Sequence, residues 1–318
     1  MDIEYLLFLQ NLREASGDIF NEFFNAITKI TVDVMPFMPF VILWCVNKKW
    51  GYRALITYWF CDSVNAVIKL TACVYRPWIR DARIEPAGDA KVAATGYSFP
   101  SGHSTVATAT YGTIFAWQRK KRTWVAVLCG VLIALTMFSR NFLGVHTPQD
   151  VLTGFSVTAI TVFIILKVAD KIAGNEKVID IMAAAGILFV IAMLLYINLK
   201  SYPMDYVDDK LLVDPQKMMN DAFKASGGLL GLCIGSYIER HYIRYEIPYC
   251  AVNLPIMTIL GVALLFSWEN YFGPATFVFA LGAHWGNFIS HALMVIFALT
   301  IWPMVIRKSA VSAEAAEN

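Results

Sequence analysis

The sequence predicts an all-α fold, a polytopic membrane helix bundle, and three observations carry that prediction. Its 318 residues are 58% hydrophobic and only 16% charged, with a mean hydropathy of +0.55, whereas soluble domains carry about a quarter charged residues. The apolar residues gather in runs long enough to cross a bilayer as helix, which takes about 20 residues. Strands of alternating apolar and polar residues are absent, which argues against a transmembrane barrel. A net charge of +2 with no separate basic stripe gives no reason to expect a nucleic-acid partner. Cys45, Cys61, Cys73, Cys129, Cys233 and Cys250 lie irregularly in or beside apolar segments. They read as small buried hydrophobes, not as a disulfide framework or a zinc site.

Residues 1–29 read as an amphipathic interfacial segment. Leu7, Phe8, Leu12, Ile19, Phe20, Phe23 and Phe24 recur among acids and amides, with a break near Gly17. Such a segment lies on the membrane surface or docks on the bundle. No basic stretch followed by a small-residue cleavage site opens the chain, so the first span is expected to direct insertion. Spans follow at 30–46, 54–74, 103–117, 124–142, 151–168 and 178–199, a six-span core over 30–199. A non-cytoplasmic loop, 200–224, precedes three further spans at 225–242, 250–268 and 276–306, giving nine. Pro36, Pro39 and Pro255 mark expected kinks. Gly282 and Gly286 mark a break in the last, over-long segment. Gly227, Gly231 and Gly235 give span seven a small-residue face for close helix packing. The cytoplasmic tail, 307–318, turns small and polar from Ala310 and is expected to be unstructured.

Loop charge sets the orientation. Lys48, Lys49 and Arg53, then Arg119–Arg122, then Lys167, Lys171 and Lys177, then Arg240 and Arg244, then Arg307 and Lys308 occupy alternate loops. The positive-inside rule makes these cytoplasmic. The other side receives the acidic loop with Asp205, Asp208, Asp209, Asp214 and Asp221. The N-terminus is then outside and the C-terminus inside.

Three fragments with chemical content fall on that non-cytoplasmic side. In the second span Asp62, Asn65, Lys69 and Arg76 share one helical face. A lysine inside an apolar span costs several kcal/mol unless it is paired or meets a polar cavity. Lys69 is thus either an ion-pair partner of Asp62 or a buried phosphate-binding cation. Arg76, before Pro77, offers a fork suited to phosphate oxygens. In Pro100-Ser101-Gly102-His103, Ser101 is an N-cap, and the helix it caps presents free amides to an anion. Gly102 permits close approach to the backbone. His103 stands in the first turn, placed to donate a proton to a leaving oxygen. In Ser139-Arg140-x5-His146-Thr147-Pro148-Gln149-Asp150, Thr147 and Pro148 start a helix. Asp150 either serves that helix dipole or accepts a ring N–H of His146, leaving the other nitrogen free to attack phosphorus. Arg140 would share the phosphate charge with Lys69 and Arg76, without a metal or other cofactor.

These fragments resemble the signatures of the type 2 phosphatidic acid phosphatase superfamily, with no signature residue departing. The motifs cover 69–150, and a six-span core of that kind would cover about 1–199. The resemblance implies that His146 becomes phosphorylated, that Asp150 supports it and that His103 is the general acid. His103 would later activate the water that hydrolyses phosphohistidine. Lys69, Arg76, Ser101, Gly102 and Arg140 would bind phosphate. It further implies an integral-membrane hydrolase of a lipid phosphate or diphosphate, of phosphatidic acid, sphingosine-phosphate or undecaprenyl-diphosphate type, in the cytoplasmic membrane. A soluble phosphate ester, as in glucose-6-phosphatases, is the alternative, and a non-catalytic phosphate transporter or scaffold a third. Haloperoxidase activity is disfavoured because those relatives are soluble. The oligomeric state is open. His284 and His291 read as packing residues, His241 as solvated, Glu239 and Arg240 as interfacial, and Trp268 and Tyr271 as an interface belt. Arg80 and Arg83 either shape substrate entry or flank the headgroups.

Overall fold

The computed structural model describes residues 2–17, 19–94, 96–207, 209–249 and 251–317. Asp208 of the acidic loop, Cys250 and the last tail residue, Asn318, lie outside the described residues. The described chain is almost wholly helical, with one two-stranded hairpin, and it divides into two compact units.

The first unit comprises Met1–Pro36, Val64–Ile164 and Leu199–Asp221. Helix α1 (Asp2–Ala15) buries Leu6, Leu9 and Arg13 and leaves Phe8 and Leu12 exposed. Arg13 donates to the carbonyls of Phe142 (3.3 Å) and Glu85 (2.5 Å), so α1 docks by one face. Gly17, at φ +64°, turns the chain, a conformation that suits glycine. Helix α2 then runs unbroken from Ile19 to Val46. The second half of the expected surface segment is therefore the opening of the first long apolar helix. Pro36 and Pro39 are absorbed by 3₁₀ and widened π turns within it. Helix α3 (Lys48–Ala72) is followed by short helices α4 (Pro77–Arg80) and α5 (Gly88–Ala93). Helices α6 (Gly102–Gln118) and α7 (Thr123–Phe142) pack through Ala107, Tyr111, Cys129 and Ile133. Helix α8 spans Pro148–Lys171. Phe24, Ala87, Ala90, Ala94, Phe142, Leu143 and Val145 form a separate apolar cluster beneath the loops. Arg80 pairs with Asp2, and Arg83 with Asp81 and Glu4, so both tie the loop to itself and to α1.

The second unit comprises Phe37–Ser63, Ile165–Asn198 and Ala222–Asn318. It holds most of α9 (Glu176–Leu199), α10 (Pro215–Ile238), α11 (Leu254–Leu281), α12 (Ala283–Leu299) and α13 (Ile301–Glu317). The expected packing face on α10 is present: a Cβ on Gly227 or Gly231 would collide with the backbone of Phe288 or Ala292. Pro255 does not kink a span. It sits in the first turn of α11, where its missing N–H costs nothing. The expected spans at 250–268 and 276–306 divide differently, because one helix continues to Leu281 and the break falls at Gly282, φ +77°. Beyond it α12 and then α13 follow, and α13 reaches Glu317, where an unstructured tail was expected.

Glu239 is fully buried, not interfacial. It accepts from Lys48 (2.6 Å), Tyr52 (2.7 Å) and the Tyr245 amide (2.7 Å). His241 lies 3.0 Å from Asp180, which also pairs with Arg240, so it is partnered. His291 pairs with Glu269 (2.7 Å), and His284 stacks on Phe223.

Among the described residues, six helices are long and apolar enough to cross a membrane: α2, α7, α8, α9, α11 and the run from Ala283 to Val311. Helix α6 is shorter, at 17 residues. Helices α3 and α10 carry Lys48, Lys49, Arg53, Asp62 and Lys69, and Lys217, Asp221 and Lys224. A helix enclosed by others need not be apolar all round.

Candidate active site

The first unit brings the three sequence fragments into hydrogen-bonding range. Helix α3 ends at Ala72, and Cys73, at φ +48°, turns the chain into an extended stretch that reaches Pro77. Lys69, one turn before that end, is buried and donates to the Tyr97 carbonyl at 3.2 Å. Arg76 is also buried. Its Nε donates to Gly96 O (3.1 Å) and its Nη1 to Val145 O (3.0 Å), and Nη1 lies 2.9 Å from His146 Nε2.

The second fragment starts α6 as its residues dictate. Ser101 has extended backbone, and its hydroxyl accepts from the Ser104 amide (3.3 Å). The Ser101 amide donates to Asp150 O at 3.0 Å, joining the start of α6 to the start of α8. Gly154 makes that approach possible, since a Cβ there would sit 2.8 Å from Ser101 O. Above Gly102, by contrast, only Asn65 Oδ1 comes within 4 Å of a Cβ position, at 3.9 Å. The backbone there is open to a ligand, and Asn65 is held beside it by a bond to Thr105 (2.8 Å). His103 follows, near enough for Arg140, His146, Arg76 and Lys69 all to act on it electrostatically.

The third fragment closes the cluster. The amides of Val145 and His146 both donate to Arg140 O (3.2 Å each), and Gly144, at φ +73°, makes the turn. Asn141 Nδ2 donates to His146 O at 2.9 Å, fixing the loop. The Arg140 side chain is 2% exposed, and among the described residues its Nε and Nη2 meet no acceptor. A buried guanidinium with unmet donors is costly unless an anion completes it.

His146 and Asp150 face each other, but loosely. His146 Nδ1 and Asp150 Oδ2 are 3.4 Å apart, too long for a strong hydrogen bond. Ser98, which the sequence reading passed over, stands between them. Its hydroxyl donates to Asp150 Oδ2 at 2.5 Å and lies 3.4 Å from His146 Nδ1. The same oxygen accepts from the Thr147 amide (2.8 Å). A guanidinium can only donate, so His146 Nε2 must present its lone pair to Arg76 and the ring proton belongs on Nδ1. Burial first, and the Arg76 charge second, hold His146 well below the usual imidazole range, against the opposing pull of Asp150. Burial also draws Arg76 down to about 10, which still leaves it charged at neutral pH. The ring is thus neutral, with Nε2 unprotonated and facing two arginines' worth of positive charge.

Of the residues missed, Ser98 and Gly154 had a signal in hindsight: Ser98 lies two before Pro100, and Gly154 is one helical turn after Asp150. Their partners, however, are 52 and 53 residues away in sequence or nearly so. Among the described residues, no group of three or more His, Cys, Asp or Glu side chains is arranged to hold a metal ion.

Residues 50–173, which include every residue of this cluster, match the PAP2 superfamily. A phosphatidylglycerophosphatase B of Bacillus subtilis is 31% identical over 134 residues, 40% of this chain and 62% of that protein. An undecaprenyl-diphosphatase of Sulfolobus acidocaldarius is 25% identical over 121 residues, 38% of this chain and 56% of that protein. The chain therefore spans less than two thirds of either relative's length. No solved structure matches it.

Proposed function

Because residues 50–173 match the PAP2 superfamily, we propose that this chain belongs to it and is an integral-membrane phosphatase. It removes phosphate from a lipid phosphate or diphosphate without a metal, through a phosphohistidine. The observation that carries this reading is the buried Arg140 guanidinium, with Nε and Nη2 unmet, in the same cluster as a neutral imidazole whose Nε2 is unprotonated. Pure phosphate binding would need the cations but not the nucleophile or its Ser98–Asp150 support.

The substrate phosphoryl group binds Arg140, Lys69, the open backbone at Gly102 and the start of α6, and draws Arg76 from His146 onto its oxygens. His146 Nε2 attacks phosphorus, and the bond to the leaving oxygen breaks as protonated His103 gives that oxygen its proton. The positive charge arising on the imidazole is met by Asp150, directly and through Ser98. Water then gives a proton to His103 and attacks the phosphohistidine, releasing inorganic phosphate and restoring His146. Fixed cations and amides stabilise the charge throughout.

A lipid substrate is favoured because the chain is rich in membrane-crossing helices and the two relatives are named for phosphatidylglycerophosphate and undecaprenyl diphosphate. Nine spans, with the N-terminus and the active site on the non-cytoplasmic side, fit the loop charges. The test is phosphate release in detergent with EDTA present, from phosphatidic acid, phosphatidylglycerophosphate, undecaprenyl diphosphate and glucose 6-phosphate. Wild type is expected to cleave a lipid member of the panel, and His146→Ala to abolish release. Undiminished release by that variant overturns the assignment, and turnover of glucose 6-phosphate alone overturns the lipid reading.

A further inference from the structure

The two phosphate cations that precede the histidines are both held by one short strip of backbone. Arg76 Nε donates to Gly96 O (3.1 Å), and Lys69 Nζ donates to the next carbonyl, Tyr97 O (3.2 Å). What fixes that strip therefore helps to fix both cations, Arg76 being held also by Val145 O. The strip carries no regular secondary structure of its own, and Gly96 takes φ +70°. Its position therefore depends on what packs against it.

That partner is Met218, in the first turn of α10 and 45 residues beyond the end of the superfamily match. Its side chain is buried, and its Sδ accepts the Tyr97 amide at 3.2 Å. A Cβ on Gly96 would fall 1.3 Å from that sulfur, so the thioether fills the space directly over the glycine. The buried Tyr97 amide would otherwise need another acceptor. The loop before α10 is tied instead to the stretch after α3 that carries Arg76: Tyr75 bonds Asp205, and Lys200 reaches Cys73 Sγ (3.6 Å). Asp221, one turn after Met218, adds an attractive charge at Arg76.

We infer that Met218 is a positioning residue for the phosphate site: by seating the Gly96–Tyr97 strip, it sets where Arg76 and Lys69 present their charges. The loop and first turn of α10 thus complete an active site whose reacting groups lie elsewhere in the sequence. The inference rests on the phosphatase reading above, and it concerns binding of the phosphoryl group more than the bond-making step, because Met218 acts on the backbone that holds the cations.

The experiment measures orthovanadate affinity and steady-state phosphate release for wild type, Met218→Ala, Met218→Leu, Gly96→Ala and Gly96→Ala/Met218→Ala. Met218→Ala should raise KM and weaken orthovanadate about tenfold, with kcat changed less, as expected for loss of one structural hydrogen bond and its packing. Met218→Leu, which keeps the bulk but not the sulfur acceptor, should fold and shift the same constants in the same direction. Gly96→Ala alone should be worse than either, and removing the thioether should recover part of its loss, a non-additive pair. Wild-type orthovanadate affinity and KM in both Met218 variants, or strictly additive Gly96 and Met218 effects, overturn the inference alone. A wild type that neither releases phosphate nor binds orthovanadate overturns the phosphatase reading, and the inference with it.

Discussion

Gly154 offers the sharpest test of how tightly the site is assembled. A methyl group added there would lie 2.8 Å from Ser101 O, 3.3 Å from Ser104 Cβ and 3.4 Å from Ser101 N. The closest of these is a backbone atom, so no rotamer change relieves it. Restoring ordinary contact requires the start of α6 to move from α8 by about 0.6 Å. That shift strains the Ser101–Asp150 backbone bond, now 3.0 Å, and carries Gly102 and His103 with it. Overpacking of this kind costs about 1–3 kcal/mol in stability. Misplacement of catalytic groups by about 1 Å costs on the order of 100-fold in rate, so Gly154→Ala should lower kcat by about 10-fold or more while the protein still folds. The assay is phosphate release from a lipid phosphate in micelles, with thermal unfolding measured in parallel. A folded variant whose kcat lies within about twofold of wild type would show that the α6 terminus is not part of the chemistry, and would refute the reasoning.

Arg140→Met should abolish orthovanadate binding yet leave the ligand-free protein at least as stable. Each unmet buried donor it removes costs about 1–3 kcal/mol, and a lower melting temperature would count against that account. Ser98→Ala removes the hydroxyl between Asp150 and His146 and should lower kcat by about 10-fold with KM little changed; an unchanged kcat would leave Ser98 a purely structural residue. Because His146 is held below its usual range, its own protonation should put no acid limb on kcat/KM at about 6.5, and the limb it sets should appear only at lower pH. The stability change has the matching sign: the unfolded chain takes up that proton near pH 6.5 and the folded one resists it, so stability is full above about 6.5 and falls as pH drops further. A single acid limb centred at 6.5 in the rate profile would contradict the burial argument.

Much of the site was legible because its parts are local. The Ser101 cap, the Thr147-Pro148 helix start and the shared face of Asn65 and Lys69 follow from short-range spacing, whereas Arg76, expected on that face, lies beyond the helix end at Ala72 and reaches the cluster through the Cys73 turn and extended backbone. The Ser98 bridge, the Gly154 contact and the Met218 packing were not legible, since each depends on a partner tens of residues away. Hydropathy also misled at specific places. It began the first span at residue 30, because the acids and amides of 19–29 hid a long helix that already runs from Ile19. It read Glu239 as interfacial, because neither Lys48 nor Tyr52, which neutralise and bond it, is near in sequence. The same logic explains why α3, α6 and α10 look least like membrane helices. Those segments spend their polar residues on neighbours inside the protein, where an apolar surface is not required.

The 2.9 Å contact between Arg76 and His146 Nε2 also has a consequence for the proposed phosphatase at rest. In that reading the lone pair that would attack is capped by a guanidinium, much as a chemist masks a reactive nitrogen with a removable group. Stray electrophiles such as acylating or alkylating agents find the ring blocked, whereas a phosphoryl group carries the charge needed to pull the cap away. Selectivity for phosphate would then begin before any bond is formed, with the substrate unmasking the atom that cleaves it.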